Sequence, residues 1–374
     1  MKRISRAVAK KKKPRTATRR RRNKDASAML TVDDGTVEDN GPQTTVDEGE
    51  EDANTKRKCR GAQPDDELKA LMTAFADRLG QTGVSGLQKE YAELKAMKLT
   101  LPSPAAVAFD ANKAKNRYHD VPCLDKTRVV LNYNVPPDID YIHANWVNEM
   151  GSPLKMICTQ APLDDTINDF YRMLWQEKVS SIMMLCRVEE NGKTKCAQYW
   201  PLTEGETRQY GALNVKNIKN DTKVDRAFER TQLELGDGKD PVIIVNLYLW
   251  RDWPDKFVPS GGLGLLRLIR CARKDARKDS TSVIHCSAGI GRTGTVVALE
   301  IAMAKLDAKQ PVNFYEIVKE MRSRRASAVQ TEVQYVFLHR VVCEYFQAKG
   351  MNRPTVTKFC AEYTAYLKNL VVPT

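Results

Sequence analysis

The apolar run Ser282-Val283-Ile284 passes without a linker into His285-Cys286-Ser287-Ala288-Gly289-Ile290-Gly291-Arg292-Thr293-Gly294, and helical periodicity follows over residues 292–306. A short β-branched run of this kind is a buried strand, and two glycines in the five residues after Cys286 allow one tight turn before a helix starts at Arg292. This strand-turn-helix unit commits the chain to an α/β arrangement with the turn at the end of a sheet. Other β-branched or aromatic runs, at 128–131, 141–147, 155–159, 180–186, 197–200, 228–235 and 242–249, read as further strands. Helical spacing links Leu68, Leu71, Met72, Phe75 and Leu79, with Asp65 placed to cap the start and Gly80 to end it. A second helix runs through Val84, Leu87, Tyr91, Leu94 and Met97 until Pro102 and Pro104 stop it, and helices also fit 313–324 and 331–347. The pattern predicts a mixed sheet with helices before and after it.

The net charge of +13 suggests nucleic acid until it is located. Residues 1–24 carry 13 Lys and Arg and no acid, and residues 25–52 carry ten acids and no base, which leaves the body of the chain close to neutral. Adjacent opposite blocks with no apolar period predict a disordered tail over residues 1–60. The basic block reads either as a solubilising arm or as a contact for an import receptor or an anionic surface. A nucleic-acid-binding protein would need a basic face with interleaved aromatics in its body, and the neutral body offers none. No run of about 18 apolar residues occurs, and the N-terminus lacks the apolar stretch of a signal peptide, so the expected compartment is the cytosol or nucleus. Nine cysteines at irregular spacing argue for reduced thiols, one of them reactive, and against a disulfide framework.

Gly289-Ile290-Gly291-Arg292-Thr293-Gly294 matches a dinucleotide-binding fingerprint, but that reading requires a further strand and a ribose-binding acid downstream, where this chain is helical. A P-loop fails because no Gly-Lys-Ser/Thr follows. What fits is an anion nest. The backbone N–H groups of Ser287, Ala288, Gly289, Ile290 and Gly291 point at one centre, and the positive end of the helix adds to them. A thiol at Cys286 facing that field and a guanidinium is expected to have a depressed pKa and to act as a nucleophile, while the fork of Arg292 holds two phosphate oxygens. A zinc site is not expected: there is no C-x-x-C and no H-E-x-x-H, and only four histidines are present. The chemistry of a thiolate and an arginine clamp calls for no metal and no cofactor.

These residues resemble the signature of the classical cysteine-dependent protein tyrosine phosphatase family, and the resemblance covers about residues 84–348. Lys115-Asn116-Arg117-Tyr118 with Asp120-Val121 is similar to the family's phosphotyrosine-recognition loop. Asp140 to Trp146, Thr159-Gln160-Ala161-Pro162-Leu163, Glu190 through Cys196, Tyr199-Trp200-Pro201, Trp253-Pro254-Asp255 and Gln330 to Tyr335 follow in the family's order. The lead-in Gly83-Val84-Ser85-Gly86-Leu87 is most similar to nematode, single-domain, non-receptor members. The resemblance implies a highly twisted mixed sheet flanked by helices, a catalytic domain over 65–348 and a C-terminal extension over 349–374. It also implies hydrolysis of phosphotyrosine proteins through a cysteinyl-phosphate.

Each site residue then has an expected role. Tyr118 forms the wall of a cleft deep enough for phosphotyrosine and too deep for phosphoserine, and Asp120 accepts hydrogen bonds from the substrate backbone. Asp255, carried on the rigid Trp253-Pro254 hinge, protonates the leaving phenolate. Gln330 and Gln334, four apart on one helical face, position the water of the second step, and Thr293 hydrogen-bonds the departing sulfur. Glu190 and Lys195 orient the arginine and the acid loop, and His285 fixes the turn. Phe257 and Ser327 stand where the family usually has glycine, and Ala161 is a third departure. The rival reading is therefore a protein that binds phosphotyrosine without turnover.

Overall fold

The computed structural model describes residues 64–97, 105–148 and 150–370. The charged tail expected over 1–60 and the stop expected at Pro102 and Pro104 lie outside these residues. The helices are α1 (Asp66–Ala96), α2 (Val107–Ala111), α3 (Ile167–Gln176), α4 (Leu263–Asp275), α5 (Arg292–Asp307), α6 (Phe314–Arg324), α7 (Glu332–Ala348) and α8 (Pro354–Lys368). The strands are β1 (Arg128–Val130), β2 (Tyr141–Trp146), β3 (Lys155–Thr159), β4 (Val179–Met184), β5 (Glu189–Glu190), β6 (Lys193–Thr194), β7 (Thr207–Tyr210), β8 (Leu213–Asp221), β9 (Phe228–Gly236), β10 (Ile243–Trp250) and β11 (Thr281–His285).

Nine strands form one mixed sheet in the order β1-β2-β3-β11-β4-β10-β9-β8-β7, and β5 and β6 pair apart from it as a short hairpin. β3, β11, β4 and β10 run parallel, and antiparallel strands complete the sheet on either side. β11 therefore has a parallel neighbour on each flank, which requires a strand buried on both faces; all five of its residues are buried. Its carboxyl end opens at the edge of the parallel core, where open α/β sheets place their ligands, and Cys286 is the next residue. α5 leaves that point and is buried without a break from Arg292 to Ala304. α4, α6, α7, β3 and β11 surround it.

Several local readings change for physical reasons. Gly80 does not end the first helix: a Cβ there would lie 2.9 Å from Thr355 Cγ2, so the glycine lets α1 cross close to α8. The break comes at Gly83, whose φ of 57° is left-handed, and Glu362 Oε2 accepts the Val84 N–H at 3.2 Å to cap the restarted helix. Ala197, Tyr199 and Trp200 are buried, but residues 197–200 form no strand because their backbone finds no ladder; Ala197 N–H donates to Pro162 O at 3.0 Å instead. β8 was legible and missed: Leu213, Val215 and Asn217 alternate with exposed residues at period two. α3, α4 and β7 were also not expected.

The extension expected after residue 348 carries α8, which packs on α1 and α7 and buries Val356, Phe359 and Tyr363. Each such side chain contributes about 1.5–3 kcal/mol when fully buried. Ending the chain at Ala348 is therefore expected to lower Tm by about 10 °C or more in a thermal melt. An unchanged Tm would show that α8 is dispensable to the domain.

Candidate active site

The loop after β11 is held by its carbonyls. Ala161 N–H donates to Ser287 O at 3.0 Å, and Arg325 donates from Nη2 to Ala288 O at 2.9 Å and from Nε to Gly289 O at 3.1 Å. A trans peptide unit points its N–H opposite to its C=O, so tying three carbonyls to the outside turns the N–H groups of Ala288, Gly289 and Ile290 inward. Gly289 N–H accordingly donates to Cys286 Sγ at 3.3 Å. Glycine is required at 289: φ is 69°, and a Cβ there would lie 2.0 Å from Thr159 O.

Arg325 is wholly buried. Beyond the loop carbonyls, Nη1 donates to Asn145 Oδ1 at 2.8 Å, and both Nη1 and Nη2 approach His143 Nδ1 at 3.2 Å. The other ring nitrogen, Nε2, lies 2.8 Å from Val121 O. Nδ1 must accept and Nε2–H must donate, which fixes a neutral tautomer, and burial with the Arg325 charge pushes the pKa of His143 down to about 3. The sequence reading gave Arg325, His143 and Asn145 no role. The available signal was a third arginine in Arg322-Ser323-Arg324-Arg325 just ahead of Gln330.

Arg292 opens α5 with 1% of its surface exposed. Glu190 takes Nη1 at 2.5 Å and Nη2 at 3.1 Å, the carbonyl of Trp253 accepts from Nη1 at 2.9 Å, and Asp255 Oδ1 lies 3.3 Å from Nη2. Burial works against the guanidinium charge, but Glu190 and the Cys286 sulfur more than offset it, and the pKa is raised above its already high value. Lys195 Nζ donates to the other Asp255 oxygen at 2.8 Å. Burial pushes the Asp255 carboxyl up, yet the Lys195 hydrogen bond and the charges of Arg292 and Lys256 prevail and hold it below its ordinary value.

The loop that carries Asp255 is closed on itself. Phe257 N–H donates to Pro254 O at 3.2 Å, and Trp253 Nε1 donates to Phe257 O at 2.9 Å. The left-handed residue of this turn is Lys256, φ 57°, and the Phe257 side chain packs against the core. Gln334 Nε2 also donates to Phe257 O, at 3.4 Å, and ties α7 to the loop. Ser327 does take a left-handed φ of 59°, which explains why glycine is usual there. Ala161 shows no such demand.

The two glutamines do not share a helical face as expected. Gln330 precedes Thr331, which caps α7, so only Gln334 is helical. The amides still converge: the position of a Cβ on Gly291 would lie 3.0 Å from Gln330 Oε1 and 3.2 Å from Gln334 Nε2. Ser287 Oγ–H donates to Lys195 O at 3.0 Å, so in the 2.9 Å contact with Tyr118 the tyrosine hydroxyl is the donor. Tyr118 is set in place by Arg117, which donates to Ala161 O and Pro162 O. His285 bridges Cys286 O and the Tyr199 hydroxyl at 3.3 and 2.9 Å. Thr293 Oγ1 is buried without a partner among the described residues, and Asp120 lies exposed in the turn beyond Tyr118.

The sequence profile described as Protein-tyrosine phosphatase matches residues 112–344. Tyrosine-protein phosphatase non-receptor type 9 of Rattus norvegicus is 36% identical over 256 residues, covering 64% of this chain and 43% of the relative. Receptor-type tyrosine-protein phosphatase zeta of Rattus norvegicus is 34% identical over 273 residues, covering 70% of this chain and 12% of the relative. The chain thus spans less than half the length of these curated relatives. The crystal structure of the catalytic domain of human protein tyrosine phosphatase non-receptor type 18 superposes with a TM-score of 0.67 at 31% identity, over 74% of this chain and 99% of that one. Among the described residues no helix is long and apolar enough to cross a membrane. With the match extending over most of the chain and the same fold beneath it, this chain belongs to the protein-tyrosine phosphatase family.

Proposed function

We propose that the chain hydrolyses phosphotyrosine in proteins in two steps, through a phosphate carried on Cys286. The observation that supports this most is the set of donors around one sulfur. Gly289 N–H lies 3.3 Å away, its neighbouring peptide units are turned the same way, and Arg292 follows with its fork steadied by Glu190. A phosphate dianion suits that set. The loop N–H groups take its non-bridging oxygens, and Arg292 adds Nε–H together with Nη2–H once Asp255 gives up its place on Nη2.

The sulfur attacks phosphorus opposite the bridging oxygen, the S–P bond forms, and the aryl P–O bond breaks. The leaving phenolate has a conjugate pKa of about 10, so a proton delivered by Asp255 lowers the barrier. Lys195 and Arg292 hold Asp255 below its ordinary value. An incoming dianion compensates Arg292 and places negative charge beside the carboxyl, and both effects favour the protonated form that the step needs. In the second step the amides of Gln330 and Gln334 position water, Asp255 takes its proton, and the unpartnered hydroxyl of Thr293 donates to the leaving sulfur. Tyr118 sets the depth that excludes phosphoserine, and Asp120 accepts from the bound peptide backbone. PTPN18 has been solved in complex with HER2-pY1196 phospho-peptides, which supports phosphotyrosine peptides as ligands of this chain as well. The free thiols among the described cysteines support a reducing compartment, cytosol or nucleus, with the basic block of residues 1–24 as the contact for an import receptor or anionic surface.

Turnover of a phosphotyrosine peptide is expected to fall by about 1000-fold or more in Cys286→Ser. A wild-type chain that binds the peptide without hydrolysing it would leave only the binding reading. Asp255→Ala is expected to lower kcat by about 100-fold or more while peptide Kd is retained, with a smaller defect on a fluorinated phenyl phosphate that leaves without help. An equal loss with both leaving groups would remove Asp255 as the acid.

Lys195 separates protonation from mere placement. Removing its charge and hydrogen bond in Lys195→Met raises the pKa of Asp255, so the acid stays protonated to higher pH and the alkaline limb of kcat/KM shifts upward. A limb that stays in place or moves downward would show that another group sets it. Deleting residues 1–52 is expected to leave kcat/KM on a small phosphotyrosine peptide within about twofold, because none of the site segments lies there. A collapse of the rate would make the tail part of the catalytic unit.

A further inference from the structure

α7 and α8 lie against each other away from the phosphate loop, and each brings a cysteine to their interface. Cys343 on α7 is fully buried, while Cys360 on α8 is half-buried and reachable from solvent. Arg340 and Cys343 are three residues apart on α7 and so share a face, and the contact of Arg340 with Cys360 brings the two cysteines to the same turn of the interface. Arg340, three residues before Cys343 on the same helix, donates from Nη1 to Cys360 Sγ at 2.8 Å, and its Nε lies 3.4 Å from Glu344 Oε1. A guanidinium held on a half-exposed sulfur, with a second sulfur behind it, is the arrangement of an attacking thiol and a resolving thiol.

We infer that Cys343 and Cys360 form a second redox site, a dithiol that a hydroperoxide converts reversibly to a disulfide joining α8 to α7. The Cys360 sulfur attacks the distal oxygen of the hydroperoxide. The O–O bond breaks, the departing oxygen takes the thiol proton and leaves as water or an alcohol, and Cys360 becomes a sulfenic acid. The Cys343 sulfur then displaces that hydroxyl: the S–S bond forms, the S–O bond breaks, and the Cys343 proton leaves with the hydroxyl as water. Two thiols have lost two electrons and one hydroperoxide has been reduced.

The acidities agree with this division. Cys343 as a hydrogen-bond partner, helped by Arg340, holds Cys360 down to about 7, against the opposing effect of burial. The same contact and its burial push Cys343 up. Burial pushes Cys123 up to about 11 and Cys158 up to about 12, so these thiols do not compete for the oxidant. The disulfide would close the short connection between the two helices and add a covalent tie to the packing, hydrogen bonds and ion pair that hold α8 to α7 and α1.

The test uses the full chain with Cys286→Ser, so that the thiol of the phosphate loop does not consume oxidant, treated with hydrogen peroxide and mapped by non-reducing digestion and mass spectrometry. A linked Cys343–Cys360 peptide is expected, lost on addition of dithiothreitol and absent in Cys360→Ala. Arg340→Met is expected to slow its formation about tenfold, because the attacking sulfur loses its cation. The inference is overturned if both thiols remain reduced at a peroxide dose that fully oxidises Cys286 in the wild type. It is equally overturned if Cys360 passes to sulfinic acid without a linked peptide. Neither result bears on phosphotyrosine hydrolysis, which does not involve this pair.

Discussion

The site depends on one buried cation that is not part of the chemistry. Among the described residues Arg325 has no carboxylate partner; it spends its donors on Ala288 O, Gly289 O, Asn145 Oδ1 and the unprotonated nitrogen of His143. Burying an isolated charge costs several kcal/mol unless hydrogen bonds satisfy it, and here the carbonyls supplying that satisfaction belong to the phosphate loop. The solvation of Arg325 and the orientation of the loop amides are thus one set of bonds. Losing the guanidinium releases the carbonyls, and releasing the carbonyls strands the guanidinium. His143 has to stay neutral for this to hold, and its burial, helped by the field of Arg325, opposes its protonation.

The second buried cation is organised oppositely. Arg292 has a full carboxylate partner in Glu190, carried on β5, and touches the acid loop at both Trp253 O and Asp255. Lys195, just after β6, holds the other oxygen of Asp255. The hairpin therefore grips both Arg292 and Asp255, and Ser287 fastens it to the loop after Cys286 through Lys195 O. On the proposed mechanism Asp255 occupies a donor that the phosphate would use, so substrate entry and release of the acid would be coupled by competition for one nitrogen. The same ion pair, with the Lys195 hydrogen bond, holds the Asp255 carboxyl below its ordinary value against the effect of burial.

The strand-turn-helix unit around Cys286 was legible because period, glycines and the helix start agree at adjacent positions. So were Arg292, Asp255, Glu190 and Lys195 as a group, through ordered segments that resemble a known family. The supporting shell was less legible. Arg325 lies 39 positions from Cys286 along the chain, and nothing in local pattern separates it from Arg324, which is partly exposed. His143 and Asn145 were read only as strand residues, since a period-two run says which side chains share a face and not what lies across it. The same limit produced the error at Gln330 and Gln334: a spacing of four fits one face of a helix only if the helix has begun, and the Thr331 cap puts Gln330 outside it. At Gly80 the sequence signal was real but its cause was packing against Thr355 and not chain termination.

Backbone strain gathers where Gln330 is delivered. Ser327 and Val329 both hold left-handed φ, at 59° and 58°, and a β-branched residue there is costly enough to persist only when its surroundings enforce it. The enforcement is visible. Val329 N–H donates to Ile290 O at 2.9 Å, Arg322 donates to Ala328 O and Val329 O at 3.0 Å each, and the Tyr91 hydroxyl donates to Gln330 O at 2.5 Å. Three separate parts of the chain, the phosphate loop, α6 and the N-terminal helix α1, thus hold one strained turn. The turn brings the Gln330 amide over Gly291, beside that of Gln334. An unstrained continuation of the helix backward from Thr331 would remove Gln330 from that position, so the two glutamines can meet over the loop only because α7 starts late. The N-terminal helix enters the site's geometry through the Tyr91 hydroxyl and through Leu94 O, which accepts from Arg322 Nη1 and so steadies the guanidinium that holds the turn.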